Sequence, residues 1–120
     1  MTRRLLPLLC LLLAGCGAQE PAAVKAKHHR IAIEIKDFRY TPQTIEATPG
    51  QLRLDIANHG RLAHTLWVSR GDQNIVAKAS SLLPGDRTSK TLKVRKGRYR
   101  FFCALSNHEE LGMYGTQIVR

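Results

Sequence analysis

Three residues near the C-terminal end of this 120-residue chain carry side chains that bind soft metal ions. Cys103, His108 and Met113 follow one another with four residues in each gap. A thiolate, an imidazole and a thioether together suit copper. Two imidazoles and a thiolate in one plane, with a weak axial thioether, form a recurrent copper arrangement. The second imidazole must come from elsewhere, and His64 is the best placed. It follows the turn Asn58-His59-Gly60 and opens the run Thr65-Leu66-Trp67-Val68, so a loop-to-strand boundary would hold it. His59, beside Gly60, reads as the tip of a turn. Zinc accepts Cys and His, but methionine is a poor fourth donor for it. A nucleophilic thiol needs an activating base and its supporting groups, and the sequence offers no such constellation around Cys103. A dinuclear copper site would need a second Cys in the loop, and none is there.

The elements that must position these residues are short strands. Ile31, Ile33 and Ile35 alternate with Ala32, Glu34 and Lys36, the period of a half-buried strand. Leu52, Leu54 and Ile56 repeat the pattern, as do Ser89 to Val94. Tyr99, Phe101 and Cys103 face one way, Arg98, Arg100 and Phe102 the other. Gly115 to Val119 form a last strand. Thr41-Pro42-Gln43, Thr48-Pro49-Gly50, Leu83-Pro84-Gly85-Asp86 and Arg95-Lys96-Gly97 are turns. Asn74 to Ser80 reads as a short helix or a loop. Frequent turns between short strands argue for an all-β sandwich. Gly112 lets the loop after His108 turn back and bring Met113 toward the metal.

The N-terminus reads as an export signal. Arg3 and Arg4 precede the apolar run Leu5 to Leu13, which is shorter than the roughly 20 residues of a spanning helix. Leu13-Ala14-Gly15-Cys16 resembles the bacterial lipobox, which implies that Cys16 becomes the lipidated first residue. The expected layout is a signal peptide at 1–15, a flexible tether at 16–30 and a folded domain at 31–120. His28 and His29 fall in the tether and read as solvated. Of three cysteines, Cys10 leaves with the signal and Cys16 carries lipid, so Cys103 is the single thiol of the folded domain. An unpaired Cys in an oxidising compartment calls for a role such as metal binding. The net charge of +10 becomes +8 once Arg3 and Arg4 are removed. That charge favours acidic partners. No nucleic-acid-binding motif is present.

From Phe38 and Tyr40 before Pro42, through Thr48-Pro49-Gly50, Asn58, His64 and Leu83-Pro84-Gly85, to Gly97-Arg-Tyr-Arg-Phe-Phe-Cys103 and the His-Met loop, residues 31–120 resemble the cupredoxin family. The Cys-x4-His-x4-Met spacing is similar to that of auracyanin-type members. The resemblance implies a Greek-key sandwich of about eight strands. It implies one type 1 (blue) copper ion on His64, Cys103, His108 and Met113, and one-electron transfer without substrate chemistry. The chain departs from many members in having Thr65 after the first ligand, where they have Asn. Its hydroxyl remains available for a hydrogen bond to the ligand loop. The reading is of a non-enzymatic monomer in the bacterial cell envelope, anchored by lipid and facing the periplasm or exterior. Its partners are redox proteins with acidic docking surfaces. The alternative is a periplasmic copper chaperone, which the scarcity of methionine disfavours. Leu62, Ala63, Leu105 and Leu111, apolar residues in loops, are expected to form a docking patch around His108.

Overall fold

The computed structural model describes Gly15, Gly17 and residues 21–120. The expected signal peptide, apart from Gly15, and the expected lipidation site Cys16 lie outside the described residues.

Ten strands follow in order: β1 (Val24–Lys25), β2 (Arg30–Lys36), β3 (Arg39–Thr41), β4 (Thr44–Ala47), β5 (Gly50–Asn58), β6 (His64–Arg70), β7 (Asn74–Leu82), β8 (Arg87–Val94), β9 (Gly97–Phe102) and β10 (Tyr114–Val119). They build two sheets, with orders β1-β4-β10-β9-β6-β7 and β3-β2-β5-β8. The all-β sandwich is as expected.

Alternation explains most of the strands. In β2 the residues Ile31, Ile33 and Ile35 are buried and their neighbours exposed. Leu52, Leu54 and Ile56 of β5 lie on the same inner face, because β2 and β5 pair in parallel with Ile33 opposite Ile56. Ile45, Leu66, Val68 and Phe101 supply the other layer, all about 1% exposed or less. Each such side chain removed from water contributes about 1.5–3 kcal/mol before entropy is charged against it. One close approach needs a glycine. A Cβ on Gly115 would stand 2.1 Å from the Phe101 ring and 2.5 Å from the Gln43 carbonyl.

Two segments differ from the sequence expectation. Residues 74–82 form an edge strand, neither helix nor loop, paired with β6 through two register shifts. Strand pairing also begins before Ile31. Val24 and Lys25 pair with Ile45 and Glu46, and Lys27 and Arg30 exchange backbone hydrogen bonds. Residues 24–30 are thus part of the sandwich rather than a free tether, held by backbone bonds that leave no side-chain period.

Candidate metal centre

Two strands and one loop converge at one end of the sandwich. His64 opens β6 and is fully buried. Cys103 directly follows β9 and is 1% exposed. The ladder continues past the strand, since the Cys103 N–H donates to the Met113 carbonyl at 3.1 Å. Between them the loop closes on itself: the Met113 N–H donates to His108, Gly112 to Glu109, and His108 to Leu105. Gly112 adopts φ +108°, the turn expected of it. Met113 is fully buried and His108 partly so.

One metal-binding atom from each of His64, Cys103 and His108 falls within 4.8 Å of the others. Cys103 Sγ and His108 Nδ1 are 3.5 Å apart. Among the described residues this is the one such group of His, Cys, Asp and Glu side chains. The decisive observation is His64 Nδ1, a buried nitrogen without a hydrogen-bond partner. Leaving such a group unpaired costs about 1–3 kcal/mol, and a metal ion is the partner that its lone pair lacks. The opposite nitrogen, Nε2, lies 3.1 Å from Asp37 Oδ1. A carboxylate only accepts, so this contact favours the tautomer with the proton on Nε2, which leaves Nδ1 free to ligate. The donor set and its spacing fit one type 1 copper ion.

Thr65 joins the two halves of the site. Its hydroxyl accepts the Ala104 N–H at 2.8 Å and lies 3.6 Å from Cys103 Sγ, while its own N–H points at the same sulfur at 3.4 Å. The hydrogen bond to the ligand loop is therefore made with Thr in place of Asn. Asn58, 1% exposed, ties the loop before His64 to the next turn. Its amide donates to the Leu62 and Leu82 carbonyls at 2.9 and 2.8 Å and accepts the Gly60 N–H at 2.9 Å. Tyr40 donates to the Thr65 carbonyl, and burial pushes its hydroxyl far above the ordinary phenol range.

Sequence reasoning missed Asp37 and the placement of Phe38 against the site. The bond from His64, then those from the Arg61 and Leu62 amides, hold the Asp37 carboxyl below the usual carboxylate range. The Phe38 ring stands edge-on to both imidazoles, 6.3 Å from His64 and 5.1 Å from His108. No signal in the sequence marks either contact, because the turn that carries them reaches the site only through the topology. His59, His28 and His29 are exposed. Glu109, 38% accessible, pairs with Arg100 at 2.6 Å. Leu62 and Leu111 are about half exposed, whereas Leu105 packs against the core.

The cupredoxin-like domain family matches residues 6–118. The chain belongs to that family. Among solved structures it is similar to auracyanin from Roseiflexus castenholzii, with TM-score 0.73 and 19% identity over 79% of this chain and 98% of that one. It is similar to rusticyanin from Thiobacillus ferrooxidans, with TM-score 0.65 and 18% identity over 82% of each chain. An azurin from Methylomonas sp. strain J gives TM-score 0.67 and 16% identity over 76% of this chain and 97% of that one. No curated protein matches the sequence. At these identities the structures report the cupredoxin fold, and the copper assignment rests on the family together with the three converging donors.

Proposed function

We propose that the protein is a one-electron carrier whose copper would be held by His64, Cys103, His108 and Met113. The observation that carries this reading is the buried, unpartnered His64 Nδ1 beside a thiol and a second imidazole. Copper bound there would cycle between Cu(II) and Cu(I). The chain's own residues do the rest. His64 and Cys103 are sealed from water on rigid strands, so the donors keep their positions in both oxidation states. His108 is partly exposed and offers the path to the surface. Nothing in the set positions or activates a substrate.

The exposed leucines support docking at this end. Leu62, Leu83 and Leu111 are 45%, 57% and 52% exposed. They lie on loops that border the site, where a partner can approach without desolvating charge. The whole-chain charge of +10 favours an acidic partner. The lipobox-like Leu13-Ala14-Gly15-Cys16 supports a lipid anchor on the outer side of a bacterial membrane.

An optical spectrum of the copper-loaded protein tests the assignment. It should show an intense visible band from thiolate-to-copper charge transfer, and reversible one-electron cycling with copper retained. Cys103→Ser should lose the band entirely and remain folded. A coloured Cys103→Ser variant would sink the ligand assignment. Membrane release of a Cys16→Ser variant checks the anchor.

A further inference from the structure

Asp37 and Phe38 form the turn between β2 and β3, and both reach the metal centre from a segment that supplies no ligand. The Asp37 carboxylate is fixed by two backbone amides and His64, with the exposed Arg61 guanidinium 3.6 Å from Oδ2. It accepts the Arg61 N–H at 2.9 Å and the Leu62 N–H at 3.2 Å, and it faces His64 Nε2 at 3.1 Å. Gly60 makes room for it: a Cβ there would stand 2.4 Å from Asp37 Oδ1. Phe38 has φ +63°, a left-handed conformation that a bulky side chain rarely adopts. Such an outlier is kept where its surroundings impose it, often at a functional site. Here it lays the ring edge-on to both imidazoles, at interplanar angles of 84° and 86°. The Phe38 carbonyl also abuts Gly112 of the ligand loop.

We propose that the Asp37–Phe38 turn is a positioning device for the copper centre, holding His64 with Nδ1 open toward the metal and placing a fixed negative charge behind that ligand. The proposal rests on the copper reading above. A neutral imidazole carries one N–H, and the nitrogen that meets a carboxylate keeps it. The metal-facing nitrogen is then unprotonated before any ion arrives. Once copper is bound, the carboxylate attracts Cu(II) more than Cu(I), since the former carries the larger charge. The turn therefore lowers the reduction potential relative to the same site with a neutral acceptor. Phe38 packs edge-on against both imidazoles, and the His64 ring between it and Asp37 is fully buried.

A capping role alone predicts something different. The two amide bonds would stiffen the loop before His64 and leave the potential unchanged. Asp37→Asn separates the two, because it keeps the size and an acceptor oxygen and removes the charge. In the whole copper-loaded protein, Asp37→Asn should raise the potential and weaken Cu(II) binding by about 10–100-fold. A tenfold change in the Cu(II) to Cu(I) affinity ratio corresponds to about 59 mV for one electron. Wild-type potential and affinity in this variant would overturn the electrostatic claim. Nitrogen-15 NMR of the metal-free wild type reads the His64 tautomer directly. A neutral ring with its proton on Nε2 supports the proposal, and a proton on Nδ1, alone or with one on Nε2, overturns it. That measurement needs no variant to fold and no copper to bind. A wild type that takes up no copper therefore defeats the proposed function, while the tautomer still decides the role of the turn.

Discussion

His64 and Cys103 are held by strands, whereas His108 and Met113 belong to a loop. The first pair sits at neighbouring ends of β6 and β9, which pair with Trp67 opposite Phe102. Both are essentially inaccessible, and Asn58, Asp37 and Thr65 fix their surroundings. The second pair is positioned by backbone bonds within residues 103–113 and by one glycine in an unusual conformation. The contrast divides the work of the site. The strand half sets the position and dryness of the metal. The loop half carries the imidazole that comes nearest the surface, the route for electron exchange under the proposed function.

If the strand half is the rigid one, the largest loss should come from its buried polar hub. Asn58→Ala removes two donors and leaves the buried Leu82 carbonyl and the part-buried Leu62 carbonyl without them. The expected cost is about 3 kcal/mol, the upper end for buried unsatisfied groups, read from the urea midpoint of the metal-free protein. Gly112→Ala should cost less. A Cβ there meets the Phe38 carbonyl at 3.7 Å, an ordinary contact, so the penalty is the backbone conformation alone. That is about 1–2 kcal/mol, and the strain should show in the visible band of the copper form. Equal costs for the two variants, with the band unmoved, would break the distinction between the halves.

The candidate ligands were legible because their chemistry is concentrated. Cys103, His108 and Met113 share one loop, and His64 starts an apolar run after a turn. Strands with one buried face were legible for the same reason, as in β2. What was hidden lacked a side-chain period. In β7, Ala77, Ala79, Ser80 and Ser81 are small and suit a helix as well as an edge strand. In β1 two exposed residues are held by backbone pairing and one exposed ion pair, Lys25–Glu46, with no buried face to mark them. Asp37 lies 27 positions from His64, and only the parallel pairing of β2 with β5 brings its turn to the copper end.

A region away from the metal gives the comparison its control. On the outer face of the smaller sheet, Asp55 accepts from Arg30, Arg53 and Ser89. These bonds, that from Arg30 first, depress its carboxyl far below the ordinary range. A depressed carboxyl adds stability that is complete above the unfolded value, about pH 4, and is lost as pH falls through the folded value. Metal-free protein should therefore weaken progressively below about pH 4, and Asp55→Asn should flatten that acid limb of the urea midpoint. An unchanged limb would mean that the strand network contributes nothing to acid stability.

The smallest effect is expected on the loop half, at the Arg100–Glu109 pair. Glu109 Oε1 takes both Nε and Nη2 of Arg100, at 2.9 and 2.6 Å, and so joins the ligand loop to β9. The geometry invites the view that this pair clamps the loop. Its exposure argues otherwise, since the two side chains are 48% and 38% accessible. Exposed pairs contribute about 0.2–1 kcal/mol, less as salt rises. Arg100 also keeps a second contact without it, because its guanidinium lies 4.5 Å over the Tyr114 ring. Glu109→Gln should thus shift the urea midpoint of the metal-free protein by less than about 1 kcal/mol and leave the visible band where it was. The shift should shrink further in high salt. A larger loss, accompanied by a moved band, would show that the loop ligands are held by a surface ion pair rather than by the backbone bonds between 103 and 113.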